Sequence, residues 1–419
     1  MKIGIPDGVR VLNRKETFQI NQIKEKIKDI FEKWGYEEIK LPYFEYFDVH
    51  EKGIGKSVSK KAFKIVDRTT GDILSLRADF TAQIARYFSS LKRKNIPKRY
   101  YYEGKVFRYE TPKAGRLWEK LQMGIELIGV SHFEADAEVI AVASKALENL
   151  GIREFQIDIS NVNLFKAIKE FLSMSEEEFS VFMTFVKNRE IFSLEKFFED
   201  KNIDTKIKNF LIKIPEYQGD ISLIKGLKKE FSGIDSIQKS LQELEEIYKI
   251  LKAYSIEDKI IFDLGEPKEF SYYTGIVFEI FIKDFSKPVG QGGRYDKLIG
   301  KYNGDYPATG FAFELFNLWE YLSKKGLLEK ENKKDFYIID ITPDKEKAYY
   351  VAKTLREKGF TVARDIVDRD YRKSLMFAFE EGFKAVVLIG LDRDKESVYI
   401  YTNPEEYEKL EIKDFLEKV

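Results

Sequence analysis

The sequence predicts an α+β core interrupted by a helical insertion and followed by a separate, smaller α/β domain. Three observations carry this reading. Short alternating apolar runs typical of strands are scattered between residues 36 and 159 and return near 260–264 and 276–282. From about residue 164 to 256 the spacing turns helical, with Leu241, Leu244, Ile247 and Leu251 on one face. Beyond residue 336, strand-like and helix-like stretches alternate strictly, as in an α/β unit.

In order, Asn13 followed by Glu16 marks a helix start, and Ile20, Ile23, Ile27, Ile30 and Trp34 then recur every three or four residues until Gly35. Residues 36–46 read as one strand, with Pro42 at an edge or bulge. Strands are expected over 72–76, 99–109 and 121–128, a helix over 135–150 stopped by Gly151, and a strand through Phe155, Ile157 and Ile159. After the insertion and two more strands come a glycine cluster, read as a turn, and a helix over 310–322. The tail reads strand 336–341, helix 344–358, strand 360–363, helix 369–381 and strand 385–389. The expected domains are therefore 1–325, with its insertion, and 335–419.

Composition narrows the function. Lys+Arg and Asp+Glu number 71 each, so the whole chain offers no electrostatic invitation to nucleic acid or anionic membrane. The absence of cysteine excludes disulfides, a thiol nucleophile and thiolate metal sites. With only His50 and His132 present, no metal centre is expected. Neither a signal-peptide core nor a membrane-length apolar run is visible, so a cytoplasmic protein is expected.

Four segments bear polar residues suited to a pocket. In Leu76-Arg77-Ala78-Asp79-Phe80-Thr81, Asp79 and Thr81 could together accept an ammonium group, or Asp79 could simply cap the following helix. Arg108 and Glu110 lie two apart, and Gln122 and Glu126 four apart on one face of a strand, where they either line a pocket or form cross-strand pairs. A guanidinium at Arg108 suits a carboxylate or phosphate. The third segment runs through Tyr272-Tyr273-Thr274-Gly275, and the fourth is Gly290-Gln291-Gly292-Gly293-Arg294-Tyr295-Asp296.

Taken in order, these segments resemble the histidyl-tRNA synthetase family. The opening helix and Pro42 resemble class II motif 1, Phe107-Arg108-x-Glu110 resembles motif 2, and the tyrosine and Gly-Gly-Arg segments are similar to the two histidine signatures. The resemblance implies a class II synthetase-like antiparallel sheet flanked by helices, and a two-fold interface giving at least a homodimer. It also implies that Asp79, Thr81 and Gln122 face the amino group of a bound histidine, with Glu126, Tyr272 and Tyr273 around its imidazole. Arg108 and Lys268, which stands where synthetases carry arginine, complete the expected histidine site.

Departures from the synthetase pattern point away from catalysis. Asn317 falls where motif 3 has its arginine, Glu314 and Phe316 replace small and acidic residues, and Ser271 replaces an aspartate. Aspartate at Asp79, with Ile84-Ala85-Arg86 following, instead resembles the regulatory subunits of ATP phosphoribosyltransferase. That likeness implies no catalysis and no cofactor. It implies a short catalytic subunit as partner in a larger hetero-oligomer, and histidine as feedback effector in histidine biosynthesis. The C-terminal domain is similar to an anticodon-binding domain, yet tRNA binding is not expected. A true histidyl-tRNA synthetase and another binding paralogue are the alternatives.

Overall fold

The computed structural model describes residues 3–55, 59–110, 117–265, 272–329 and 334–419. They form two compact units, Met1–Glu329 and Lys330–Val419. The first unit runs α1 (Arg14–Lys33), β1 (Glu37–Glu38), β2 (Phe44–Tyr46), α2 (Phe47–Ile54), β3 (Lys64–Val66), β4 (Ile73–Leu76), α3 (Phe80–Ser90), β5 (Lys98–Phe107), β6 (Glu119–Ile128), α4 (Phe133–Asn149) and β7 (Phe155–Asn161). Next come α5 (Val162–Phe171), α6 (Glu176–Lys187), α7 (Ile191–Phe198), α8 (Thr205–Lys213), the two-residue β8 (Gln218–Gly219), α9 (Ile221–Glu230) and α10 (Asp235–Ala253). The chain then returns through β9 (Ile260–Asp263), β10 (Ile276–Ile282), β11 (Gly290–Arg294) and β12 (Ala308–Glu314) to α11 (Leu315–Lys324).

Local chemistry sets these elements. Asn13 caps α1 in a reciprocal box, its Oδ1 accepting from the Glu16 amide at 2.9 Å while Glu16 Oε2 accepts from the Asn13 amide at 2.9 Å. The helix stops before Gly35, whose φ of 78° is left-handed. Nine strands make the main sheet in the order β1-β5-β6-β12-β11-β10-β7-β9-β8. Its middle, from β5 to β7, is antiparallel, while β1 and β9 join in parallel.

Strand alternation divides the side chains between two cores. Met123, Ile125 and Leu127 of β6 point to the helix-backed face, where they meet Ile20, Ile23 and Ile27 of α1, the alanine-rich α4 and Leu241, Leu244 and Ile247 of the helical segment. Burying each such isoleucine or leucine contributes about 1.5–3 kcal/mol. The opposite face gathers Phe80, Ile84, Phe88, Tyr100, Tyr102, Tyr272, Tyr273 and Tyr295. Gln122 and Glu126 turn toward this second, more polar core.

Three expected elements differ. The single strand over 36–46 is two: β1 joins the large sheet, whereas β2 pairs with β4 in a separate sheet ordered β2-β4-β3. Pro42, which cannot donate to a ladder, lies in the crossing. The glycine cluster is not a turn but β11, paired on both sides with β10 and β12. The first part of the expected helix over 310–322 is β12, and only from Leu315 does the chain become helical. In both cases the glycines permit close packing between strands.

The second unit comprises β13 (Lys334–Asp340), α12 (Glu346–Glu357), β14 (Val362–Arg364), α13 (Tyr371–Glu380), β15 (Phe383–Ile389), β16 (Ser397–Tyr401), β17 (Tyr407–Glu411) and α14 (Ile412–Lys418). Its sheet order is β14-β13-β15-β16-β17, parallel in the first three strands and antiparallel beyond. One face packs on α12 and α14 through Val351, Leu355 and Phe415. The other packs on α13 through Leu375 and Ala378.

Candidate functional site

The pocket opens on the tyrosine-rich face of the main sheet. Its frame begins at the β4–α3 junction, where buried Arg77 donates from Nε and Nη2 to the Lys105 carbonyl at 3.1 and 2.7 Å, and from Nη1 to the Leu41 carbonyl at 3.1 Å. The same guanidinium lies 3.8 Å from the centre of the Phe80 ring. These contacts fix the start of α3, and with it Asp79 and Thr81.

Asp79 performs two tasks. Its Oδ1 accepts from the Ala82 amide at 3.2 Å, so it is the helix cap, while its Oδ2 faces Arg108 Nη2 at 3.4 Å. Arg108 also donates from Nε to the Ala78 carbonyl at 2.8 Å, tying the end of β5 to the same junction. Burial holds the Asp79 carboxyl above its ordinary pKa, and the Arg108 charge opposes that rise.

Glu126 lies at the buried end, 1% exposed. Its Oε1 accepts from Thr81 Oγ1 at 2.7 Å and its Oε2 from the Tyr295 hydroxyl. Burial pushes its pKa up to about 8; the two hydroxyl donors oppose the shift, and the negative charge of Asp79 adds to it. Glu126 stands opposite Gly310 in the β6–β12 ladder. A Cβ on Gly310 would lie 1.8 Å from Glu126 Oε2 and 2.4 Å from the Ile125 carbonyl, so only glycine fits.

Tyr272 and Tyr273 form the aromatic wall, their ring centres 4.8 Å apart, and the Tyr295 ring stands nearly perpendicular to Tyr272 at 6.0 Å. Tyr273 packs so tightly on β11 that a Cβ at Gly293 would approach its ring to 2.9 Å. The pocket they wall is narrow and partly open to solvent.

Seven of the residues expected from the sequence line this one pocket: Asp79, Thr81, Arg108, Gln122, Glu126, Tyr272 and Tyr273. The eighth, Lys268, lies outside the described residues, as does Ser271. Sequence reasoning missed Tyr102 and Tyr295 as lining residues. Tyr295 stood within the Gly-Gly-Arg-Tyr-Asp segment, and Tyr102 alternates with Tyr100 along β5, so both signals were visible. In that segment Arg294 is a support beneath the pocket: its Nη2 and Nε donate to Asp136 Oδ2 at 2.6 and 2.9 Å.

A second cavity adjoins the first across Gln291 and is lined by Lys61, Glu110, Glu119, Lys287, Glu314 and Asn317. Asn317 donates to the Pro288 carbonyl at 2.8 Å, and Glu314 Oε1 accepts from Gln122 Nε2 at 2.6 Å. Among the described residues no cluster of three His, Cys, Asp or Glu could hold a metal, and no helix is long and apolar enough to cross a membrane.

A large, mainly antiparallel sheet carrying a polar pocket walled by tyrosines defines a class II, histidyl-tRNA synthetase-like core. Residues 8–318 match the family model described as histidyl-tRNA synthetase. The chain is 34% identical to the ATP phosphoribosyltransferase regulatory subunit of Aquifex aeolicus over 100% of both chains. It is 32% identical to that of Syntrophotalea carbinolica, over 92% of this chain and 90% of the relative. A solved structure from Bacillus halodurans, described as an ATP phosphoribosyltransferase regulatory subunit/histidyl-tRNA synthetase, matches with a TM-score of 0.80 at 26% identity, covering 93% of this chain and 98% of that one. The chain belongs to the ATP phosphoribosyltransferase regulatory subunits, a branch of the histidyl-tRNA synthetase family.

Proposed function

We propose that this chain is the non-catalytic regulatory and activating subunit of a cytoplasmic ATP phosphoribosyltransferase, acting at the first step of histidine biosynthesis, and that its pocket binds free histidine as the feedback effector. The observation that carries the histidine reading is the placement of carboxyl groups: Glu126, 1% exposed, and Asp79 at the N-terminus of α3 line one pocket with Tyr272, Tyr273 and Tyr295. An imidazole N–H would donate to Glu126 with its ring against Tyr272 and Tyr273. The ammonium would meet Asp79, Thr81 and Gln122, and the carboxylate Arg108, with Lys268 completing the site as the sequence resemblance implies. The departures from the synthetase pattern support a role without chemistry: Asn317, which by resemblance stands at the motif 3 arginine position, is tied to a carbonyl, and Glu314 adds a carboxylate to the same cavity.

The partner follows from the family: a short catalytic subunit. A homodimer is the minimal assembly. The small sheet supports it, because Phe44, Tyr46 and Ile65 share one face by register and are 51%, 57% and 41% exposed. The C-terminal unit keeps an anticodon-binding-like architecture without a tRNA role.

The test is a steady-state assay of a short ATP phosphoribosyltransferase catalytic subunit mixed with this chain across a histidine titration. Mixing should activate the enzyme, histidine should inhibit the mixture, and Asp79→Ala should relieve inhibition while sparing activation. Activation that ignores histidine would refute the effector role. Histidine-dependent ATP–pyrophosphate exchange by the chain alone would refute the non-catalytic one.

A further inference from the structure

Glu314 ends β12 directly opposite Gln122 in the β6–β12 ladder, four residues along from the Gly310–Glu126 pair. Its Oε1 accepts a hydrogen bond from Gln122 Nε2 at 2.6 Å, and it forms no ion pair among the described residues. A carboxylate only accepts, so the Gln122 amide can meet it in one orientation: nitrogen toward Glu314, carbonyl oxygen toward the pocket that Gln122 lines. Without such a partner the two ends of a glutamine amide are interchangeable.

A parallel arrangement acts on Thr81, whose hydroxyl proton goes to Glu126 and whose oxygen is left to accept. Asp79 is an acceptor as well. Three acceptor oxygens therefore line the one pocket, and an ammonium group has three N–H donors to satisfy.

We propose that Glu314 is a positioning residue that fixes Gln122 as an acceptor and so makes the pocket selective for a ligand bearing an α-ammonium group. This rests on the histidine reading of the pocket and assigns a role to a residue of the neighbouring cavity. Glu314→Gln preserves the shape but can either accept from or donate to Gln122, so the amide is no longer held one way.

The experiment is calorimetry on the full chain, with histidine and with 3-(imidazol-4-yl)propionate, which lacks the ammonium, for the wild type, Glu314→Gln, Gln122→Ala and the double variant. Glu314→Gln should weaken histidine about tenfold, as misdirecting one hydrogen bond to a charged group does, and leave the propionate unchanged. In the Gln122→Ala background it should cost nothing further. Unchanged histidine affinity, equal losses for both ligands, or additive losses in the double variant would each overturn the positioning role. A wild-type chain that binds no histidine would overturn the histidine reading itself, and with it this inference.

Discussion

Glu126→Gln isolates the buried carboxyl at the closed end of the pocket and has a signed consequence for stability. In the folded chain burial raises this carboxyl to about 8, against an ordinary 4.5. The folded state thus holds a proton that the unfolded state releases above pH 4.5. Stability from this group is complete below that pH and is lost as pH rises through about 8, with a slope of about 1.4 kcal/mol per pH unit. Summed over the window, the effect is on the order of several kcal/mol. Glutamine does not titrate and can still accept from Thr81, so the variant should lose the slope. Urea unfolding of both proteins at pH 5, 6.5 and 8 should show the wild type weakening with pH more than the variant does. Parallel curves would refute the buried, proton-holding Glu126. In calorimetry at neutral pH, where this carboxyl still holds its proton, the same variant should weaken histidine by about two- to tenfold, the range for a neutral hydrogen bond.

Gly310→Ala should displace Glu126 and strain the β6–β12 ladder, costing about 1–3 kcal/mol in urea unfolding and weakening histidine in calorimetry; Gly226→Ala, at a helical position with open space around it, is the tolerated control. His50 is buried in α2 with neither ring nitrogen hydrogen-bonded among the described residues, and burial together with the charges of Arg108, Arg77 and Arg86 lowers it to about 4. It must stay neutral in the folded state while the unfolded histidine protonates below about 6.5, so stability falls in acid, by about 2 kcal/mol at pH 5. His50→Leu should remove that acid loss in thermal melts at pH 5 and 7.5. Asp136→Ala removes the buried one of the two carboxylates on Arg294 and leaves only the partly exposed Asp296, so it should cost about 3 kcal/mol, the lower end for breaking a buried pair, measured as a drop in urea midpoint.

Much of the fold could be read from the sequence where one physical rule governed a stretch. Asn13 and Glu16 announced α1, and the period-two and period-four patterns gave β6, β7 and α10. Reading failed where glycines served packing against neighbours: the Gly290–Arg294 strand and the start of β12 carry glycines because side chains would collide with adjoining strands and with Glu126, which no local pattern reveals. The division of residues 36–46 between two sheets depends on partners distant in sequence, β4 and β5. Strands β16 and β17 were not anticipated, although Val398, Tyr399, Ile400 and Tyr401 carry strand-forming residues. The pocket was more legible than the fold around it, since its lining residues sit in short segments whose order is itself informative. What one chain's residues did not disclose was the pairing of Gln122 with Glu314, set by register.

The floor of the pocket is backbone. At Gly293 and Gly310 an added Cβ would lie 2.6 Å from the Ile276 carbonyl and 1.8 Å from Glu126 Oε2 respectively. A surface without side chains cannot be trimmed, and these positions tolerate no additions. Any change in what the pocket admits must therefore run through the walls, at Gln122, Glu126 and the tyrosines, while the base stays unchanged. A library built to retune the ligand would waste its diversity on the glycines and should be confined to those wall positions.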